Sequence, residues 1–77
     1  MSIEVKFFAS LREQVGMASC TLMKPDYKNV NDVWREAVPE FALPENTLVA
    51  INMEYVDLDQ GVQDGDEVAF FPQVTGG

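Results

Sequence analysis

Asn29-Val30-Asn31-Asp32-Val33-Trp34-Arg35-Glu36-Ala37-Val38-Pro39 is the stretch that decides the fold. Val30, Val33, Trp34, Ala37 and Val38 fall at i, i+3, i+4, i+7 and i+8, which places them on one apolar face of a helix. Asn29 suits the N-cap, where its side chain can accept a bond from an early helical amide. Pro39 stops the helix, because it lacks an amide hydrogen and disfavours helical geometry in the residue before it. One amphipathic helix needs an apolar surface to cover, and the flanking sequence supplies strands.

Upstream, Ile3, Val5 and Phe7 alternate with Glu4 and Lys6, the pattern of a half-buried strand. Ser10-Leu11-Arg12-Glu13 fits a capping box, and Gly16 sits where that helix would end, leaving little more than one turn. Ala18 to Met23 reads as a second strand, closed by Pro25. Downstream, Phe41 to Asn46, with Pro44, reads as connecting loop and Thr47 to Ile51 as a third strand. Asn52-Met53-Glu54 then turns into a short strand at Tyr55-Val56. Asp64-Gly65-Asp66 is a turn signal, and Glu67 to Phe71 forms the last strand. The order β-α-β-α-β-β-β predicts an α+β layer pair, in which one main helix covers a mixed sheet of four or five strands.

With 77 residues the chain has room for one core, and domains this small bury only about 60–70% of the surface their unfolded chains expose. It contains one Cys and no His. No internal disulfide can form, and the commonest metal ligand and general base is missing. No Ser-His or Cys-His pair can be built, so a substrate or carrier role is favoured over catalysis. Cys20, on a predicted strand, reads as a small buried residue, because a sulfur-relay thiol needs a basic neighbour. Trp34 reads as core. Asp57, Asp59 and Asp64 break the EF-hand spacing and lack its closing Glu. No metal site is expected, and these acids read as a solvated face open to docking.

The net charge of −8 is uneven. Residues 1–35 hold all five basic side chains against four acids, whereas residues 36–77 hold nine acids and no base. This balance argues against nucleic acid, whose phosphates are bound by Lys and Arg. It favours either docking onto basic protein surfaces or plain solubility. Glu4 arrives early, no cationic start precedes an apolar run, and no segment approaches the ~20 apolar residues of a membrane span. A cytoplasmic protein that engages no membrane is expected.

The sequence closes on Phe71-Pro72-Gln73-Val74-Thr75-Gly76-Gly77. Pro72 ends a strand ladder, so a domain over 1–71 and a flexible tail over 72–77 are expected. The six tail residues can reach ~20 Å when extended, and two residues without side chains fit a narrow tunnel in a partner. A carboxylate at such a tip suits activation by ATP, because AMP is a far better leaving group than oxide. Chance would place two glycines at a given pair of positions in roughly 1 of 200 chains, so a frayed terminus is the competing explanation. Phe7-Phe8 and Phe70-Phe71 each put one ring on either side of a strand. The inward ring is core, and the outward one is a candidate anchor for a partner.

Asp64-Gly65-Asp66-Glu67-Val68-Ala69-Phe70-Phe71-Pro72, running into Val74-Thr75-Gly76-Gly77, closely resembles the end of the molybdopterin synthase small subunits. These belong to the ubiquitin-like molybdopterin and thiamine sulfur-carrier family. Val5-Lys6-Phe7-Phe8-Ala9, Leu11-Arg12-Glu13 and Gly16 resemble the family's opening strand and helix. Val30 to Glu36 and Ile51-Asn52 fall where it has its helix and middle strand. Gln73 departs from the family, which often has a second Pro there.

The resemblance implies a β-grasp fold and no catalysis by the chain itself. It implies that Gly77 is adenylated by a ubiquitin-activating-like adenylyltransferase, which uses ATP, and then receives sulfur from a donor protein as a thiocarboxylate. No cofactor would be bound permanently. The tail, with Val74, Thr75 and Gly76 in the tunnel, would enter a large catalytic subunit and deliver sulfur to a cyclic pterin phosphate in molybdenum cofactor biosynthesis. Phe8, Phe70, Phe71 and Pro72 are the expected partner interface. A carrier for thiamine or another pathway, or a ubiquitin-like modifier that forms amide links to lysines, would share the same tail.

Overall fold

The computed structural model describes residues 2–23 and 28–73. The chain forms β1 (Ile3–Phe7), α1 (Ala9–Val15), β2 (Ser19–Leu22), α2 (Val30–Ala37), β3 (Leu48–Ile51), β4 (Glu54–Val56) and β5 (Glu67–Phe71). The five strands make one sheet in the order β2-β1-β5-β3-β4. β1 and β5 pair in parallel, with Val5 beside Val68 and Phe7 beside Phe70. The remaining pairs are antiparallel. This is the mixed sheet expected from the sequence, with the first and last strands brought together at its centre.

Alternation along each strand sends one set of side chains to the helix side. Ile3, Val5 and Phe7 of β1, Val68 and Phe70 of β5 and Val49 of β3 meet Val30, Val33, Trp34 and Val38 from the α2 side and Leu11 of α1. Phe7, Phe70 and Trp34 form the aromatic centre. Trp34 stands edge-on to Phe70 at 5.0 Å and to Phe7 at 5.8 Å. Its indole N–H donates to the Phe41 carbonyl at 2.9 Å, so the ring is buried with its polar group satisfied.

The start of α2 is fully capped. Asn29 Oδ1 accepts from the Asp32 amide at 3.0 Å, and Asp32 Oδ2 accepts from the Asn29 and Lys28 amides at 3.2 and 2.9 Å. The Val30 and Asn31 amides donate to the carbonyls of Gln60 and Leu58. The loop after β4 therefore packs across the helix start, and Leu58 and Val62 lie against the core. Asp57 and Asp59 thus belong to a segment that finishes the helix cap.

These bonds set a pH dependence. The amides of Lys28 foremost, and then of Asn29 and the Arg35 guanidinium, hold the Asp32 carboxyl below the usual carboxylate range. A depressed folded-state pKa gives stability that is present above the unfolded value of about 3.9 and is lost as pH falls through the folded value. The melting temperature of the native chain is expected to fall more steeply than that of Asp32→Asn as pH drops below about 4. Thermal melts of both across pH 2–7 check this, and parallel profiles would contradict it.

The predicted cap of α1 is not formed. Phe8 occupies the N-cap, with no side-chain bond, and Ser10 lies inside the helix. The Phe8 amide is bonded to the Phe70 carbonyl at 3.1 Å, and its own carbonyl accepts from Leu11 at 3.1 Å. Tertiary pairing with β5 thus takes Phe8 as the boundary, and Ala9 makes the turn with φ +53°. Gly16 ends the helix in the left-handed conformation, φ +80°, as expected.

Candidate functional site: the open face of the sheet

The face of the sheet away from α2 carries a second group of side chains. The register places Ala69 between Lys6 and Ala50, and Tyr55 beside Ala50. Leu48 lies opposite Phe71. Phe8 stacks on Phe71 with centroids 5.0 Å apart and planes 11° from parallel. Tyr55 approaches Phe71 at 6.0 Å. Phe8, Leu48 and Tyr55 are exposed and Phe71 is half-buried, so the rings border an apolar surface floored by the small Ala50 and Ala69.

That surface sits at the Phe71 end of β5, where Pro72 takes the chain off the ladder. The opposite end is polar. Thr21 Oγ1 donates to Glu4 at 2.9 Å, and Lys6 pairs with Glu67 at 3.2 Å. An apolar seat beside Pro72 with a charged border can bind and orient a protein surface.

Of the expected interface residues, Phe8, Phe71 and Pro72 lie at this end of the sheet. Phe70 does not belong to it: the ring is 0% exposed and enclosed by Phe7 and Trp34. Consecutive strand residues face opposite sides, so Phe70 and Phe71 cannot both reach a partner. Leu48 and Tyr55 are the residues that sequence reading missed. Their only signal was the outward parity of their strands, which gains meaning once β3 is known to pair with β5. Val74, Thr75, Gly76 and Gly77 lie outside the described residues.

Two other features lie away from this surface. A groove of about 830 Å³ runs between α2 and residues 39–43, lined by Trp34, Val38, Phe41 and Leu43. It lies on the helix side of the molecule, away from the open face, and its charged lining residues are Arg35 and Glu40. Cys20 is half-buried on β2. Burial, and then the Glu4 carboxylate, push its thiol up, which keeps it protonated and a poor nucleophile. Among the described residues no three metal-binding side chains gather, and no helix is long and apolar enough to cross a membrane.

Comparison with known proteins gives a consistent picture. The chain matches the ThiS family over residues 5–77. It is 40% identical to the molybdopterin synthase sulfur carrier subunit of Escherichia coli, across 97% of this chain and 99% of that one. Identity to the Haemophilus influenzae protein of the same name is 36%, with the same coverage of both chains. The crystal structure of small archaeal modifier protein 1 from Haloferax volcanii superposes with a TM-score of 0.75 at 27% identity, covering 95% of this chain and 98% of that one.

Proposed function

The chain belongs to the ThiS family, and on that premise we propose that it is the sulfur-carrier subunit of molybdopterin synthase. One observation carries the reading: the apolar surface of Phe8, Leu48, Tyr55 and Phe71 lies at the end of the sheet from which Pro72 leads into the Gly76-Gly77 tail. A partner seated there holds the root of the tail while the tail reaches ~20 Å into it.

In this reading the rigid sheet supplies position and the Gly77 carboxylate supplies reactivity. The carboxylate attacks the α-phosphate of ATP on a ubiquitin-activating-like adenylyltransferase, releasing pyrophosphate. Sulfide-level sulfur delivered by a donor protein then adds to the acyl carbon, the bond to AMP breaks, AMP leaves and a thiocarboxylate remains. The loaded tail, with Val74, Thr75 and Gly76 lining its path, enters the large catalytic subunit and gives up sulfur to a cyclic pterin phosphate. The chain holds no cofactor, works in the cytoplasm and leaves catalysis to its partners.

The test is the intact mass of the protein taken from cells with an active loading system. A fraction heavier by the difference between sulfur and oxygen, mapped to Gly77, supports the reading. An unshifted mass after incubation with ATP, activating enzyme and sulfur donor would overturn it. Similarity to an archaeal modifier protein favours a second reading, in which the same terminus forms amide links to lysines. Conjugates of higher mass that disappear when Gly77 is deleted would mark that role. A thiamine-pathway carrier would share the tail and differ in its partner.

A further inference from the structure

The row of rings on the open face ends at Tyr55. Phe8, Phe71 and Tyr55 follow one another at centroid spacings of 5.0 and 6.0 Å. Two residues before Tyr55, at the tip of the β3–β4 hairpin, Met53 is 93% exposed. Asn52 and Met53 have φ of +51° and +74°, the left-handed pair that a two-residue hairpin turn needs to match strand twist. Asn tolerates this conformation, and Gly is the favoured second residue. Met is sterically strained there and, standing almost wholly in solvent, gains no packing within the chain to offset the strain.

The tip is nonetheless held firmly. The Asn52 amide donates to the Glu67 carbonyl at 2.9 Å. Asn52 Oδ1 accepts from the Glu67 amide, and Nδ2 donates to Asp66 Oδ1, both at 3.0 Å. Asp66 Oδ2 accepts from the Gln63 amide at 2.7 Å. The clamp fixes Met53 at a corner that it shares with Glu54, Asp66 and Glu67, of which Glu67 is paired with Lys6. Strain without internal return, on a pre-organised support and two residues from the exposed Tyr55, marks a contact made outside the chain.

We infer that Met53 is a second anchor for the protein that receives the tail, entering an apolar pocket edged by Lys or Arg. The inference rests on the sulfur-carrier reading. β5 connects the two anchor points, and its five residues span about 16 Å, so one partner surface can hold both. The tail then fixes the reacting end, and Met53 fixes the angle at which the sheet lies on the partner.

The experiment titrates the native chain, Met53→Gly, Met53→Asn and Met23→Ser into the molybdopterin synthase large subunit of the same organism, followed by calorimetry. Met23, 69% exposed just beyond the end of β2, is the internal control. Both Met53 variants are expected to melt at the native temperature or above it and to bind at least about 10-fold more weakly, and Met23→Ser to bind as the native chain does. Native affinity is expected to fall as salt rises, reflecting the acidic corner. Binding by both Met53 variants within about twofold of native would overturn the inference while leaving the carrier reading intact. A native chain that neither binds the large subunit nor carries sulfur would overturn both.

Discussion

Gly76→Phe is expected to fold as the native chain does and to lose sulfur transfer by about 100-fold or more, since small misplacements of a reacting group cost that much. The described core runs from Ile3 to Phe70, so a substitution at position 76 opens no cavity in it. A ring at that position fills the width that two glycines leave free, and the Gly77 carbonyl no longer reaches its reacting partners. The measurements are a thermal melt beside a sulfur-transfer assay with the loaded carrier. Full activity with a native melt would sink the tail mechanism.

Phe70→Ala and Phe71→Ala, one residue apart, are expected to fail in opposite ways. Phe70 is wholly buried between Phe7 and Trp34, and removing such a ring costs roughly 3–5 kcal/mol. A domain of this length has about 4–12 kcal/mol in total, so the variant unfolds or melts roughly 12–40 °C lower. Phe71 stacks on Phe8 at the edge of the open face, and its loss costs about 1 kcal/mol. That variant keeps its fold and binds the large subunit at least about 10-fold more weakly. Melting curves and binding isotherms for both would decide it; matching losses of stability would contradict the assignment of faces.

The same pair shows where sequence reading stops. Period-two alternation states that Phe70 and Phe71 oppose each other, and likewise Phe7 and Phe8. It does not state which side a helix will cover. Phe70 was therefore expected at the partner surface and is found in the core. The start of α1 has the same cause. Ser10 and Glu13 have the right spacing for a cap, yet the Phe8 amide is claimed by the Phe70 carbonyl, a contact 62 residues away along the chain, and the boundary moves with it. Leu48 and Tyr55 became visible as site residues only through the pairing of β3 with β5 and β4.

By itself the sequence determined the order of the seven elements, the cap at Asn29 and stop at Pro39, and the turns at Gly16 and Gly65. Each depends on backbone geometry and hydrogen bonds within a few residues, which local composition controls directly. The tertiary structure alone decided the parallel pairing of β1 with β5, the burial of Phe70, and the gathering of Phe8, Leu48, Tyr55 and Phe71 at the end of the sheet beside Pro72. Those outcomes depend on which strand surfaces α2 covers and on contacts between residues far apart in the chain, where the gain from burying apolar area is shared by the whole fold and is not encoded at any one position.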